Sequence, residues 1–282
     1  MAQNKKVAKV IIVAQNKKVA KVIIVAQNKK VAKVIIMAQN KKVAKVIIVA
    51  QNKKVAKGGS VAQNKKMAQN KVNEKILNVC KVLENLYPDA KCSLDYKENY
   101  QLIIAARLSA QCTDERVNKI TPALFERYKT LDDFANADIF ELETYVHSCG
   151  FYHSKARDIK ALCGELLKLG HIPDTIDELV KLSGIGRKTA NLIMGDIHHK
   201  PAIVADTHFI RITGRLGLTE NTVPAKVEKD LRAIIPPQLS SDFCHRIVLF
   251  GRDICKARKP ECDRCPLRVV SVCNYFLYSN FT

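Results

Sequence analysis

Lys188 lies just behind a Gly-x-Gly turn, in Leu182-Ser183-Gly184-Ile185-Gly186-Arg187-Lys188-Thr189-Ala190-Asn191, and eighteen residues later comes Asp206, in Val204-Ala205-Asp206-Thr207-His208. Gly184 and Gly186 permit positive φ and close backbone approach, which side chains would block. A helix starting behind them presents unpaired N–H groups, a ready anion site, with Arg187 as a nearby cation. A lysine amine can attack an electrophilic carbon and leave a Schiff base. A carboxylate can support oxocarbenium character while a glycosidic bond breaks. Together these residue types point to chemistry on a nucleic-acid backbone.

Each feature also has a plainer reading. The turn could be an ordinary αα-hairpin, because short glycine motifs are weak signals. Lys188 could simply pair with a phosphate. A lysine is almost fully protonated near pH 7. The helix end and Arg187 disfavour the ammonium only slightly, so partial burial of Lys188 is expected to supply most of any activation. Asp206 reads as a helix N-cap, with Phe209, Ile210, Ile212 and Leu216 continuing the helix. A cap and a catalytic carboxylate can coexist.

Cys255, Cys262, Cys265 and Cys273 form a second cluster of chemistry-bearing residues. Four thiolates in a short loop can hold an iron–sulfur cluster or a zinc ion. Disulfides are the alternative, but no secretory signal is expected. Spacing alone does not choose iron over zinc. Lys256, Arg258 and Lys259, between the first two cysteines, would form an outward basic patch suited to phosphate. The other six, Cys80, Cys92, Cys112, Cys149, Cys163 and Cys244, read as small core residues.

The elements that must position these groups read as helices. Thr175 and Glu178 make a capping-box pattern ahead of the turn, and Ala190, Ile193, Met194 and Ile197 recur at helical spacing behind it. Helical patterns also cover Ile76, Leu77, Cys80 and Leu83, then Leu102 to Ala110, Ile159 to Leu169 ending at Gly170, and Val227 to Ile235 behind Pro224. Beyond an N-terminal repeat there is no convincing alternating strand. The fold class is all-α, with about 216 residues available to bury a core.

The 282-residue chain carries a formal charge of +20, which taken alone suggests a nucleic-acid binder. Residues 1–66 hold 17 of the 47 Lys and Arg and no acids; the other 30 face 27 Asp and Glu, a net of only +3. Steering of DNA by the folded part must therefore come from local patches. Residues 1–12, Met-Ala-Gln-Asn-Lys-Lys-Val-Ala-Lys-Val-Ile-Ile, recur almost identically from 13, 25 and 37, with variant copies from 49 and 61. A twelve-residue period advances a helix by about 120° per copy, so no common apolar face forms. The apolar runs are too short to span a membrane, though Val-Ile-Ile-Val is strand-prone. Residues 1–66 are expected to be largely disordered. We expect Met67 to be the ancestral start, with 1–66 a duplication or a miscalled start, or else a polycationic arm.

Residues 67–282 resemble the endonuclease III group of helix-hairpin-helix DNA glycosylases. The resemblance rests on Leu108-Ser109-Ala110-Gln111-Cys112-Thr113-Asp114, Gly150-Phe151-Tyr152-His153-Ser154-Lys155-Ala156, the hairpin at 182–191, Asp206-Thr207-His208, Phe250-Gly251-Arg252 and the cysteine loop. It implies a bifunctional enzyme that removes oxidised pyrimidines from damaged double-stranded DNA and then cuts 3′ to the abasic site. Lys188 matches the Schiff-base lysine and Asp206 the catalytic aspartate. The four cysteines match the ligands of a [4Fe-4S] cluster. Gln111 matches the residue that fills the space left by an extruded nucleotide. Phe151 stands where an apolar wedge, usually leucine, enters. Seven residues separate Cys265 from Cys273, whereas the family normally has five, which implies a weakened cluster.

The resemblance further implies two helical domains with a cleft between them: a barrel at 91–199 containing the hairpin, and a cluster domain joining 67–90 to 200–282. It implies a monomer with no membrane association, cytoplasmic in a bacterial-type cell and nucleoid-associated when bound to DNA. Two other readings stand beside it. A mismatch adenine glycosylase would share much of the site but ordinarily lacks the lysine at 188. A non-catalytic DNA-binding module would not require Lys188 and Asp206 together.

Overall fold

In the computed structural model, residues 61–270, 273 and 275 are described, with four short strands in the repeat. The chain divides into two compact units, Met1–Lys65 and Lys66–Thr282. In the first, β1 (Ile11–Val13) pairs in parallel with β3 (Ile35–Met37), and β2 (Ile23–Ala26) with β4 (Ile47–Ala50). Each pairing joins segments two repeats apart, so matching apolar ends meet in register, identical in β2–β4 and differing only at Val13 opposite Met37 in β1–β3. The β-branched Val and Ile of these short segments suit a pleated ladder. The rest of 1–60 lies outside the described residues.

In the second unit every regular element among the described residues is helical. α1 (Val61–Leu86) begins inside the last repeat copy and runs across Met67. Its inward stripe is Ile76, Val79, Cys80 and Leu83, the i, i+3, i+4, i+7 set of one helix face. That stripe packs with Phe209, Ile212, Leu231, Phe243, Ile247 and Phe250. Those residues lie on α9 (Thr207–Arg215), α10 (Pro224–Arg232) and α11 (Ser240–Asp253). Pro224 opens α10, where its missing N–H costs no helical bond.

A second core joins α2 (Asn99–Leu108), α3 (Asp114–Arg127), α4 (Leu131–Asn136), α5 (Ile139–Val146) and α6 (Tyr152–Leu169) around Leu102, Leu108, Val117, Phe134, Leu142 and Ile159. α2 is buried almost all round. Its Ile103 faces a third cluster, with Leu162 and Leu166 of α6, Leu179 of α7 (Ile176–Leu179) and Ile193 of α8 (Arg187–Asp196). α6 ends at Gly170, whose φ of 71° is the left-handed cap that glycine adopts without strain. A short helix, α12 (Leu267–Val270), follows Cys265, and its Leu267 joins the first core.

Candidate functional site

Thr175 caps α7 by accepting from the Glu178 amide at 3.3 Å, but the capping box is only half formed: the Glu178 carboxylate accepts from the Thr175 hydroxyl at 2.7 Å. The turn that follows is tied to α6: the Ser183 amide and hydroxyl donate to the Glu165 carboxylate at 2.8 and 2.7 Å. Gly184 has φ +72°, and a Cβ there would come within 2.6 Å of the Arg107 side chain and 2.9 Å of the Asp158 Cβ. Arg107 and Asp158 are themselves an ion pair at 2.6 Å, a rigid wall behind the turn. Gly186 differs from expectation. Its φ is −93°, ordinary extended backbone, and a Cβ would meet nothing within 4 Å. It is the N-cap of α8, and the open space around it leaves the helix N-terminus accessible to an anion.

Lys188 lies in the first turn of α8 and is exposed, so the burial expected for it is absent in the free protein. Arg187 is not a loose phosphate ligand: its Nε and Nη2 donate to both oxygens of Glu228, at 2.7 and 2.8 Å. Burial pushes the Glu228 carboxyl up, but the Arg187 and Arg232 guanidiniums outweigh it and hold it below the usual carboxylate range. Arg232 also donates to Asn191 on α8, at 3.1 Å. α8 and α10 are thus clamped by two arginines on one carboxylate.

Asp206 caps α9, its Oδ1 accepting from the Phe209 amide at 2.7 Å. Lys188 and Asp206 line one cavity of about 310 Å³, with Gly184, Gly186, Cys92, Ser109, Asp114, Cys244, His245 and Arg252 also on its walls. Its size and mixed lining suit a nucleoside-sized ligand. The motif residues Asp114 and Arg252 meet across this wall in a 2.6 Å ion pair. Sequence reasoning assigned neither a role, and missed His245, whose Nε2 lies 2.8 Å from Asp196 Oδ1. The only signals were motif membership for Asp114 and Arg252, and none for His245. Cys92 and Cys244 are wall residues as well as packing residues, and burial pushes both thiols up to about 12. Of the six cysteines read as core, Cys92 and Cys112 are only half-buried. His208 packs against Gly251: a Cβ there would come within 2.7 Å of its Nδ1, which explains the glycine in Phe250-Gly251-Arg252.

Gln111 and Phe151 sit at bends rather than on helix faces. Both have left-handed backbones, φ 54° and 48°. Such conformations in non-glycine residues cost on the order of 1 kcal/mol each and persist only where surrounding contacts enforce them. Gln111 is exposed just beyond α2. Phe151 caps α6 with its ring 66 % exposed, which a core aromatic would not be.

Cys255, Cys262, Cys265 and Cys273 line a single cavity, floored by Ile212, Leu216, Phe250 and Leu267. The two extra residues before Cys273 have not displaced it. Burial first, then the neighbouring Cys273 and Cys255, push the Cys262 thiol up. Among the described residues no three His, Cys, Asp or Glu side chains close around a single ion. The four cysteines nevertheless share one small cavity, and thiolates are the donors that an iron–sulfur cluster takes. Arg215 of α9 holds the loop, donating to the Lys256 and Ala257 carbonyls at 2.8 and 2.9 Å and to Cys255 Sγ at 3.3 Å. Lys256, Arg258 and Lys259 are exposed, with Lys256 paired to Glu261 at 2.6 Å.

Among the described residues, no helix is long and apolar enough to cross a membrane. Residues 104–237 match the family of HhH-GPD superfamily base excision DNA repair proteins, and residues 255–268 match the iron–sulfur binding domain of endonuclease III. The chain is 43% identical over 197 residues to endonuclease III of Synechocystis sp., covering 69% of this chain and 90% of that one. It is 38% identical over 206 residues to endonuclease III of Bacillus subtilis, covering 72% and 93%. A solved non-covalent endonuclease III–DNA complex superposes with a TM-score of 0.69 at 40% identity, covering 74% of this chain and 98% of that chain. A trapped endonuclease III–DNA covalent intermediate matches equally closely, with a TM-score of 0.68 at 40% identity over 73% and 98%. The hairpin over a shared lysine–aspartate cavity, the cysteine-lined pocket and these relatives agree: the chain belongs to the endonuclease III family of base excision DNA repair enzymes.

Proposed function

We propose that the protein removes oxidised pyrimidines from duplex DNA and then cleaves 3′ to the abasic site through a Schiff base on Lys188. The observation that carries this reading is the convergence of Lys188 and Asp206 on one cavity beneath an open helix N-terminus. A flipped nucleoside enters that cavity. The Lys188 amine forms a bond to C1′ while the C1′–base bond breaks and the base leaves with the electron pair and a proton. Asp206 uses one oxygen for its cap and stabilises the cationic sugar. Ring opening gives the iminium, and loss of a C2′ proton then expels the 3′ phosphate. Bound DNA covers the exposed lysine and supplies the desolvation that the free enzyme lacks.

Gly184, Gly186 and the α8 N-terminus receive a backbone phosphate, and Arg187, held by Glu228, adds positive potential. Gln111 and Phe151 enter the duplex as the nucleotide leaves the stack, at a cost of a few kcal/mol. Lys256, Arg258 and Lys259 contact the flanking backbone. Cys255, Cys262, Cys265 and Cys273 hold a [4Fe-4S] cluster, which cross-links the loop carrying this patch. In our reading 91–199 forms the barrel, 67–90 with 200–282 the cluster domain, and the enzyme acts as a cytoplasmic monomer.

Borohydride trapping on abasic-site duplex tests the assignment. A covalent adduct that disappears in Lys188→Gln is expected. Undiminished trapping in that variant would remove Lys188 as the nucleophile.

A further inference from the structure

Lys155 is 1 % exposed, in the middle of the second core. A buried ammonium is costly unless its donors are satisfied. Its Nζ donates to two backbone carbonyls, Leu108 O and Cys149 O, both at 2.8 Å. Those carbonyls stand at the ends of different elements, each just ahead of its own loop. Leu108 ends α2, three residues before Gln111. Cys149 ends a short 3-10 turn, two residues before Phe151. Gln111, Gly150 and Phe151 all have positive φ, so both loops are bent sharply where they leave the lysine. The Lys155 amide also donates to Phe151 O at 3.0 Å, and the Ser154 hydroxyl donates to the same oxygen at 2.9 Å. One residue thus grips the base of both bends, by its amine and by its own backbone.

We propose that Lys155 is a positioning residue for DNA distortion: its ammonium ties the Gln111 and Phe151 loops together, so that both side chains are preset for insertion into the duplex. An apolar residue in this place would pack equally well but would leave two carbonyls unpaired and the loops uncoupled. The inference rests on Gln111 and Phe151 being the inserted residues. Lys155 touches neither the reacting atoms nor the cavity that holds Lys188.

The test compares two substrates. One is a duplex with an oxidised pyrimidine, which must be opened. The other is single-stranded DNA with a preformed abasic site, which needs no insertion. Lys155→Met is expected to slow single-turnover base removal from the duplex by about tenfold or more, as small displacements of positioning groups do. Cleavage of the single strand should stay within about twofold. A 2-aminopurine placed opposite the lesion should lose most of its fluorescence rise on binding, a signal that simple loss of packing would not alter selectively.

Equal loss on both substrates, or no loss on either, would overturn the proposal. Should K155M not fold, Lys155→Gln replaces it; its shorter amide cannot bridge both carbonyls, and the same selective loss is expected. Gln111→Ala and Phe151→Ala, measured alongside, separate the two levels. If they impair opening of the duplex and the Lys155 variants do not, the inference fails alone. If they leave opening intact, the reading of the inserted residues fails and takes the inference with it.

Discussion

Glu228 holds Arg187 by two hydrogen bonds, from Nε at 2.7 Å and from Nη2 at 2.8 Å, one residue away from Lys188. The carboxylate is nearly buried, while Arg187 and Arg232 are each about half exposed. Its Coulomb stabilisation is therefore partly screened on the arginine side. Glu228→Gln should cost about 1–3 kcal/mol at neutral pH. Because the folded carboxyl is held below its ordinary value of 4.5, this contribution is complete above that pH and is lost as pH falls through the folded value. Urea midpoints should accordingly differ between wild type and E228Q at pH 7 and draw together as the pH falls below 4.5 and through the folded value. A constant gap across that range would show that the network is not the source.

Asp206 combines a cap with a place in the cavity, and two substitutions separate these roles. Asparagine caps a helix about as well as aspartate, so Asp206→Asn should leave the melting temperature nearly unchanged. It should lower base removal by about a hundredfold or more, since it removes the charge facing the cationic sugar. Asp206→Ala should lose activity and also about 1 kcal/mol of stability. An active D206N enzyme would reduce Asp206 to its capping role.

The two glycines of the turn should behave differently. Gly184→Ala forces a Cβ against Arg107 and Asp158 at a positive φ, and should destabilise the fold by about 1–3 kcal/mol. Gly186→Ala meets open space and should cost under about 1 kcal/mol. Its methyl would obstruct a phosphate on the α8 N-terminus, so DNA affinity should fall while the melting temperature holds. Unchanged affinity in G186A would move the phosphate elsewhere.

Cysteine replacement tests the loop. Cys265→Ser and Cys273→Ser should each lower iron per chain and the visible absorption of anaerobically purified protein. Full iron content in C273S would exclude it as a ligand. Burial holds Cys262 and Cys265 protonated in the free thiol state, so cluster assembly should release protons, which a weakly buffered indicator can follow.

Local rules made much of this legible in the sequence. Thr175, Asp206, Pro224 and Gly170 sit at helix ends where their types predict, because capping depends on a few adjacent atoms. The α1 stripe was legible in part: Ile76, Cys80 and Leu83 face inward as their spacing predicts, but Leu77 is 50 % exposed and Val79 is buried in its stead. What was not legible depends on long-range partners. Glu228 captures Arg187 across 41 residues, and Asp114 meets Arg252 across 138. Nothing near Lys155 in the sequence marks it as buried, since its two carbonyl partners stand at the ends of separate elements. Lys188 was expected to be partly buried, yet the helix N-terminus that makes it useful also leaves it open to solvent.

The cysteine loop carries a lesson about how such sites are found. The match to the iron–sulfur domain of endonuclease III stops at residue 268, yet Cys273 lines the same cavity as its three partners. The entropy of closing a loop grows only logarithmically with its length, so two extra residues add well under 1 kcal/mol. Arg215 and the apolar floor set where the thiols converge, and the intervening chain can lengthen without moving them. Insertions should therefore accumulate in this last loop during evolution, and motif searches that demand fixed spacing will overlook relatives whose thiols still converge.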